Sequence, residues 1–86
     1  SMPALAERVN MSERNFSRVF KQETSMTPAK FVEALRVERA KAHIEQTRWR
    51  FERVAQQAGF GSVDSLQRSM QRQAKVTPEQ YRQRFA

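Results

Sequence analysis

Apolar residues recur along the chain at intervals of three and four rather than two, the spacing that gathers them on one side of an α-helix. Phe16, Val19 and Phe20 show this pattern, and Leu66 and Met70 repeat it further on. An all-α fold is therefore predicted, and polar residues and breakers divide it into elements. A short helix is expected over residues 2–9, with Pro3 tolerable in its first turn and Asn10 suited to a left-handed end. Ser12 is a good N-cap for a helix over 13–23. Thr27-Pro28 opens the next, over 28–46, because Thr caps and Pro at the first position gives up an N–H that has no intrahelical partner. Phe31, Leu35, Ala42 and Ile44 are expected to turn inward from it. A short helix over 51–58 should end at Gly59, a natural left-handed residue. Ser62 caps a helix over 63–73 with Leu66, Met70 and Ala74 inward. Thr77-Pro78-Glu79-Gln80 reads as a capping box opening a last helix to about residue 84.

These elements form an internal repeat. Leu5-Ala6 corresponds to Val54-Ala55, Met11 to Phe60, Phe16 to Leu66, Arg18 to Arg68, Phe20 to Met70, Thr27-Pro28 to Thr77-Pro78, and Phe31 to Tyr81. Each copy reads as short helix, tight turn, longer helix, which is helix-turn-helix geometry. The expected organisation is a first lobe over 1–27, a linker helix over 28–46 and a second lobe over 47–86. An αα-hairpin built only for packing would show the same turn, so the exposed faces must decide.

Charge sharpens the picture. Sixteen Lys and Arg against nine Asp and Glu leave a net charge of +7 among 86 residues. Such an excess attracts polyanions, of which duplex DNA is the densest common one, although RNA, acidic proteins and anionic lipid are drawn by the same Coulomb force. No apolar run approaches the roughly 20 residues that cross a bilayer, and no signal-peptide pattern opens the chain, so a cytoplasmic protein without a membrane partner is expected. The absence of Cys removes disulfides, zinc ribbons and thiol chemistry. With one His and one Asp besides, catalytic residues, metal and cofactor are all expected to be none.

The outward faces carry the candidate chemistry. On the helix after Ser12, Arg14, Ser17, Arg18 and Lys21 form one stripe opposite Phe16, Val19 and Phe20. Guanidinium forks match the N7 and O6 acceptors of guanine in the major groove, whereas any surface helix has a solvated polar face. In the second copy, Asp64, Ser65, Gln67, Arg68, Gln71 and Arg72 point outward. Asp64 repels phosphate and could accept from cytosine N4, but complementing the helix dipole explains it more simply. Arg18 and Arg68, equivalent in the repeat, are the strongest single candidates.

Leu5-Ala6, Val9, Met11-Ser12, Phe16, Arg18, Phe20-Lys21, Met26-Thr27-Pro28, Arg36-Val37, Ala40, Gly59-Phe60, Arg68 and Thr77-Pro78-x-x-Tyr81-Arg82, at these spacings, resemble the DNA-binding domain of AraC/XylS-type bacterial transcription regulators. The resemblance covers nearly the whole chain. It implies two helix-turn-helix lobes on a rigid linker helix that read two successive major-groove segments of double-stranded DNA. It places Arg14, Ser17, Arg18 and Lys21 at contact positions of the first groove helix, and Asp64, Ser65, Gln67 and Arg68 at those of the second; Arg72 joins them from the outward face. It also implies a C-terminal piece of a larger regulator lacking the family's first helix, whose partners include RNA polymerase or an N-terminal sensor or dimerisation domain.

The chain departs from the family pattern at several points. Ser25 and Lys75 replace frequent glycines, Leu66 and Met70 replace usual phenylalanines, Arg50 stands where a capping Ser or Thr is expected, and His43 replaces a usual Leu. Trp49 reads as a core anchor rather than a base-stacking platform, and His43 as a structural residue rather than a ligand. Arg48, Arg50 and Arg53 either touch phosphates or are simply solvated. Glu33, Glu38 and Glu45 alternate with Arg36, Arg39 and Lys41 on the linker, which reads as a salt-bridged surface. The competing function is a basic helical protein-interaction module without sequence-specific DNA binding.

Overall fold

The computed structural model describes residues 13–85. Five helices occur among the described residues: α1 (Glu13–Thr24), α2 (Pro28–Gln46), α3 (Phe51–Ala58), α4 (Val63–Ala74) and α5 (Pro78–Phe85). The expected helix over 2–9, its end at Asn10 and the cap at Ser12 lie outside them. The chain divides into two compact units, Ser1–Val32 and Glu33–Ala86, so the division falls within α2.

In the first unit, α1 is amphipathic, with Phe16, Val19 and Phe20 half-buried along one side. The Phe16 and Phe20 ring centroids lie 5.6 Å apart. Phe31 meets Phe20 edge-on at 5.2 Å, the quadrupole-favoured arrangement of two aromatic rings. After α1 the backbone turns through Ser25 at φ 61°, and Thr27 Oγ1 accepts from the Lys30 N–H at 3.2 Å to open α2.

The second unit closes around Val37, Ala40, Ile44, Val54, Ala55, Ala58, Phe60, Leu66, Met70 and Tyr81, with Trp49, Phe51 and Val76 packed against them. The side of α2 facing this core is thus Val37, Ala40 and Ile44, which corrects the expectation for Leu35, 54% exposed; Phe31, 37% exposed, packs instead on Phe20 in the first unit. Leu35 precedes Val37 by two residues, just over half a helical turn, so the two face opposite sides. Ile44 is inward as expected, and Ala42 is half-buried. Leu66 and Met70, the replacements for phenylalanine, are both fully buried.

Capping follows the sequence closely. Gly59, at φ 95°, ends α3, and the Phe60 N–H reaches back to the Ala55 carbonyl at 2.7 Å, which is the Schellman closure of a helix. Arg50 begins α3 without a side-chain cap, as its lack of a hydroxyl predicts. Ser62 Oγ accepts from the Ser65 N–H at 3.1 Å. Lys75 ends α4 at φ 62°. The capping box of α5 is reciprocal: the Gln80 N–H donates to Thr77 Oγ1 at 3.1 Å, and the Thr77 N–H to Gln80 Oε1 at 2.9 Å.

The acidic residues of α2 do not form the expected surface ladder. Only Glu38 pairs within the helix, with Lys41 at 2.9 Å. Glu45 accepts from the Tyr81 hydroxyl at 2.6 Å, and Glu33 turns to α4. Donors on neighbouring helices take these two carboxylates, and Glu33, with 19% of its side chain exposed, gains more from a charged donor there than from one in water. Trp49 is half-buried between the His43 ring, 4.9 Å away, and the Arg53 guanidinium, 4.1 Å from its centroid, the anchoring role read for it. Arg82 stacks on Phe51 at 4.5 Å, beside Tyr81 at the closing edge of the unit.

Candidate nucleic-acid interface

Helix α1 presents the first candidate face. Arg14, Arg18 and Lys21 are exposed and Ser17 is half-buried, on the side away from the phenylalanines. Arg18 Nη2 donates to Asn15 Oδ1 at 2.8 Å, which draws the guanidinium toward the start of the helix. Three cations on three successive turns, backed by an apolar side, suit a polyanionic groove.

Helix α4 presents the second. Asp64, Gln67 and Arg68 are exposed and Ser65 is half-buried, while Leu66 and Met70 anchor the opposite side. Arg68 Nη2 lies 3.1 Å from Asp64 Oδ2, with 70% and 73% of the two side chains exposed. Asp64 sits in the first turn, so it complements the helix dipole and orients Arg68 together. This face is less basic than that of α1, and its Gln, Ser and Asp groups offer hydrogen bonds more than charge.

Arg72 stands apart from these residues. Its Nε donates to Glu33 Oε1 at 3.2 Å and its Nη2 pairs with Glu33 Oε2. Ser69 Oγ also donates to Glu33 Oε2, at 3.0 Å, and Gln73 Nε2 to Oε1, at 2.6 Å. The Arg72 hydrogen bonds, aided by those from Gln73 and Ser69, outweigh burial and hold the Glu33 carboxyl at about 2 instead of 4.5. Sequence reasoning missed this cluster. Ser69, Arg72 and Gln73 share one side of a helix by their i, i+3, i+4 spacing, but their partner lies 36 to 40 positions earlier. Among the described residues, no three His, Cys, Asp or Glu side chains gather to hold a metal, and no helix is long and apolar enough to cross a membrane.

A family model described as a helix-turn-helix domain matches residues 5–84. The chain belongs to the AraC-type helix-turn-helix family. It is 39% identical over 82 residues to the HTH-type transcriptional regulator Rv1931c of Mycobacterium tuberculosis, covering 95% of this chain and 32% of that protein. It is 27% identical over 84 residues to the HTH-type transcriptional activator RhaR of Yersinia pseudotuberculosis, covering 98% of this chain and 29% of that one. The chain therefore spans about a third of the length of these curated relatives. Among solved structures, the DNA-binding domain of AdpA, in complex with a target DNA, matches with a TM-score of 0.92 and 30% identity over 99% of this chain and 77% of that one. An AraC-type transcriptional regulator from Chromobacterium violaceum matches with a TM-score of 0.91 and 28% identity, covering 100% of this chain and 77% of that chain.

Proposed function

We propose that this chain binds double-stranded DNA sequence-specifically to regulate transcription, with α1 and α4 each entering a major groove and reading two successive segments. In this reading Arg14, Arg18 and Lys21 supply base and phosphate contacts from α1, with Ser17 beside them. On α4, Arg68, aimed by Asp64, and the amide of Gln67 read base edges, while Ser65 lies close to the groove. Arg72 supports α4 from behind through Glu33 instead of reaching the duplex.

The observation that carries the proposal is the pair Arg18 and Arg68. They hold equivalent positions in the repeat, both are exposed, and each is held by a polar neighbour one turn earlier on a helix whose other side packs inward. The AdpA domain of the same fold was solved on its target DNA. The relatives' greater length favours a full regulator in which other domains sense a signal, dimerise or meet RNA polymerase. Such a regulator works in the bacterial cytoplasm, where the chromosome lies.

Selection of duplexes from a random pool, followed by titration against a scrambled duplex at two salt concentrations, tests the reading. The expected result is a selected sequence with two separate preferred segments, bound more tightly than the scramble at both salts. Equal affinity for every sequence, vanishing with salt, would instead favour a basic interaction module.

A further inference from the structure

Resting on the reading of α4 as a groove helix, we infer that Glu33 is a positioning residue for base readout by the second unit, acting through Ser69, Arg72 and Gln73. Glu33 lies on α2, and only 19% of its side chain is exposed. Its two oxygens take hydrogen bonds from three side chains spread over more than one turn in the C-terminal half of α4. Ser69 is itself only 4% exposed, and its hydroxyl donates to this carboxylate.

Apolar packing alone leaves α4 loosely defined. Leu66 and Met70, one turn apart, determine which side of the helix faces the core, but dispersion contacts are non-directional and permit small rolls and slides. Hydrogen bonds to a shielded carboxylate are directional. Three donors at i, i+3 and i+4 on one acceptor pair therefore fix the roll of the helix about its axis. The reading end, from Asp64 to Arg68, is continuous with the anchored half, so a roll at Ser69 or Gln73 displaces Arg68 in the groove. Base-edge hydrogen bonds tolerate little displacement, whereas phosphate attraction tolerates much.

The same contact sets the charge of the face. Both arginines of α4 are paired, Arg72 with Glu33 and Arg68 with Asp64, so this face carries little net positive charge. Recognition by this unit then depends on aligned hydrogen bonds more than on charge, and alignment is what Glu33 supplies.

Glu33→Gln and Arg72→Gln, compared with the parent chain by duplex selection and by titration across salt concentrations, test the assignment. The segment read by α4 is identified as the one whose preference Arg68→Ala relaxes. In Glu33→Gln, discrimination at that segment should fall about fivefold while that at the α1 segment stays unchanged. Its salt dependence should steepen by about one in the log–log slope, because the released Arg72 reaches a phosphate. Arg72→Gln should flatten the same segment and leave the slope as in the parent. If Glu33→Gln only lowers the unfolding temperature and keeps every base preference, the residue is a structural bridge and the positioning role is overturned. A shallower slope in Arg72→Gln overturns it too, since Arg72 would then already touch DNA. If the parent selects no sequence, DNA reading itself fails and the role of Glu33 goes with it.

Discussion

Asp64 and Arg68 lie one helical turn apart on α4, the carboxylate oxygen 3.1 Å from the guanidinium. Both side chains are largely exposed, so the pair contributes at most about 0.5 kcal/mol to stability. Its effect is expected on DNA. Asp64→Ala should leave the unfolding temperature nearly unchanged, tighten binding to all duplexes by removing a charge that repels phosphate, and loosen preference at the base facing Arg68. Titrations with selected and scrambled duplexes check all three.

Arg18→Ala and Arg68→Ala should each weaken binding to the selected duplex by about 1–3 kcal/mol and relax preference at one base position. The two positions should fall in different segments. Equal loss on selected and scrambled DNA would mean that these arginines meet phosphate alone.

Ser25 and Lys75 hold left-handed backbone at φ 61° and 62°. A side chain with a Cβ is strained there, and glycine is not. Lys75→Gly should therefore stabilise the chain by about 0.5–1 kcal/mol, with Ser25→Gly similar. Gly59→Ala should destabilise by about 1–2 kcal/mol because φ is 95°. The new Cβ would also come within 3.0 Å of Arg36 Nε, though a flexible side chain can move aside. Urea unfolding midpoints measure each change.

Arg50 starts α3 with no side-chain cap. Arg50→Thr supplies a hydroxyl at the helix start and should raise stability by about 0.5–1.5 kcal/mol. An unchanged unfolding midpoint would show that solvent already satisfies these N–H groups.

Two groups link stability to pH. The folded Glu33 carboxyl titrates at about 2, below its ordinary 4.5, so its contribution is complete above pH 4.5 and is lost as the pH falls toward 2. Glu33→Gln should lack that part of the acid destabilisation seen in the parent's unfolding temperature. Burial, with the Glu45 carboxylate beside it, pushes the Tyr81 phenol up to about 12 from 10.0. That contribution is complete below pH 10 and is lost as the pH rises toward 12. Tyr81→Phe should remove the alkaline loss and, at neutral pH, cost about 1–2 kcal/mol for the missing bond to a charged acceptor. The ultraviolet titration of the phenol checks its late ionisation.

Local chemistry was legible in the sequence alone. Ser62, Gly59, Thr27-Pro28 and the Thr77–Gln80 box each act through partners within a few residues, so spacing suffices to read them. The two outward stripes followed in the same way, because helical periodicity separates Arg18 from Phe20 and Arg68 from Leu66 without reference to any other element. What the tertiary structure decided is which groups far apart in the chain meet. Val37, not Leu35, faces the core because the rest of the second unit lies on that side of α2. Glu33 and Glu45 leave their own helix because donors from α4 and α5 are carried to them. Arg72 shares the outward spacing of a DNA contact and is nevertheless turned to Glu33. Periodicity assigns a side chain to a face of its helix, but a long flexible guanidinium chooses its partner in three dimensions, where a shielded carboxylate competes with water.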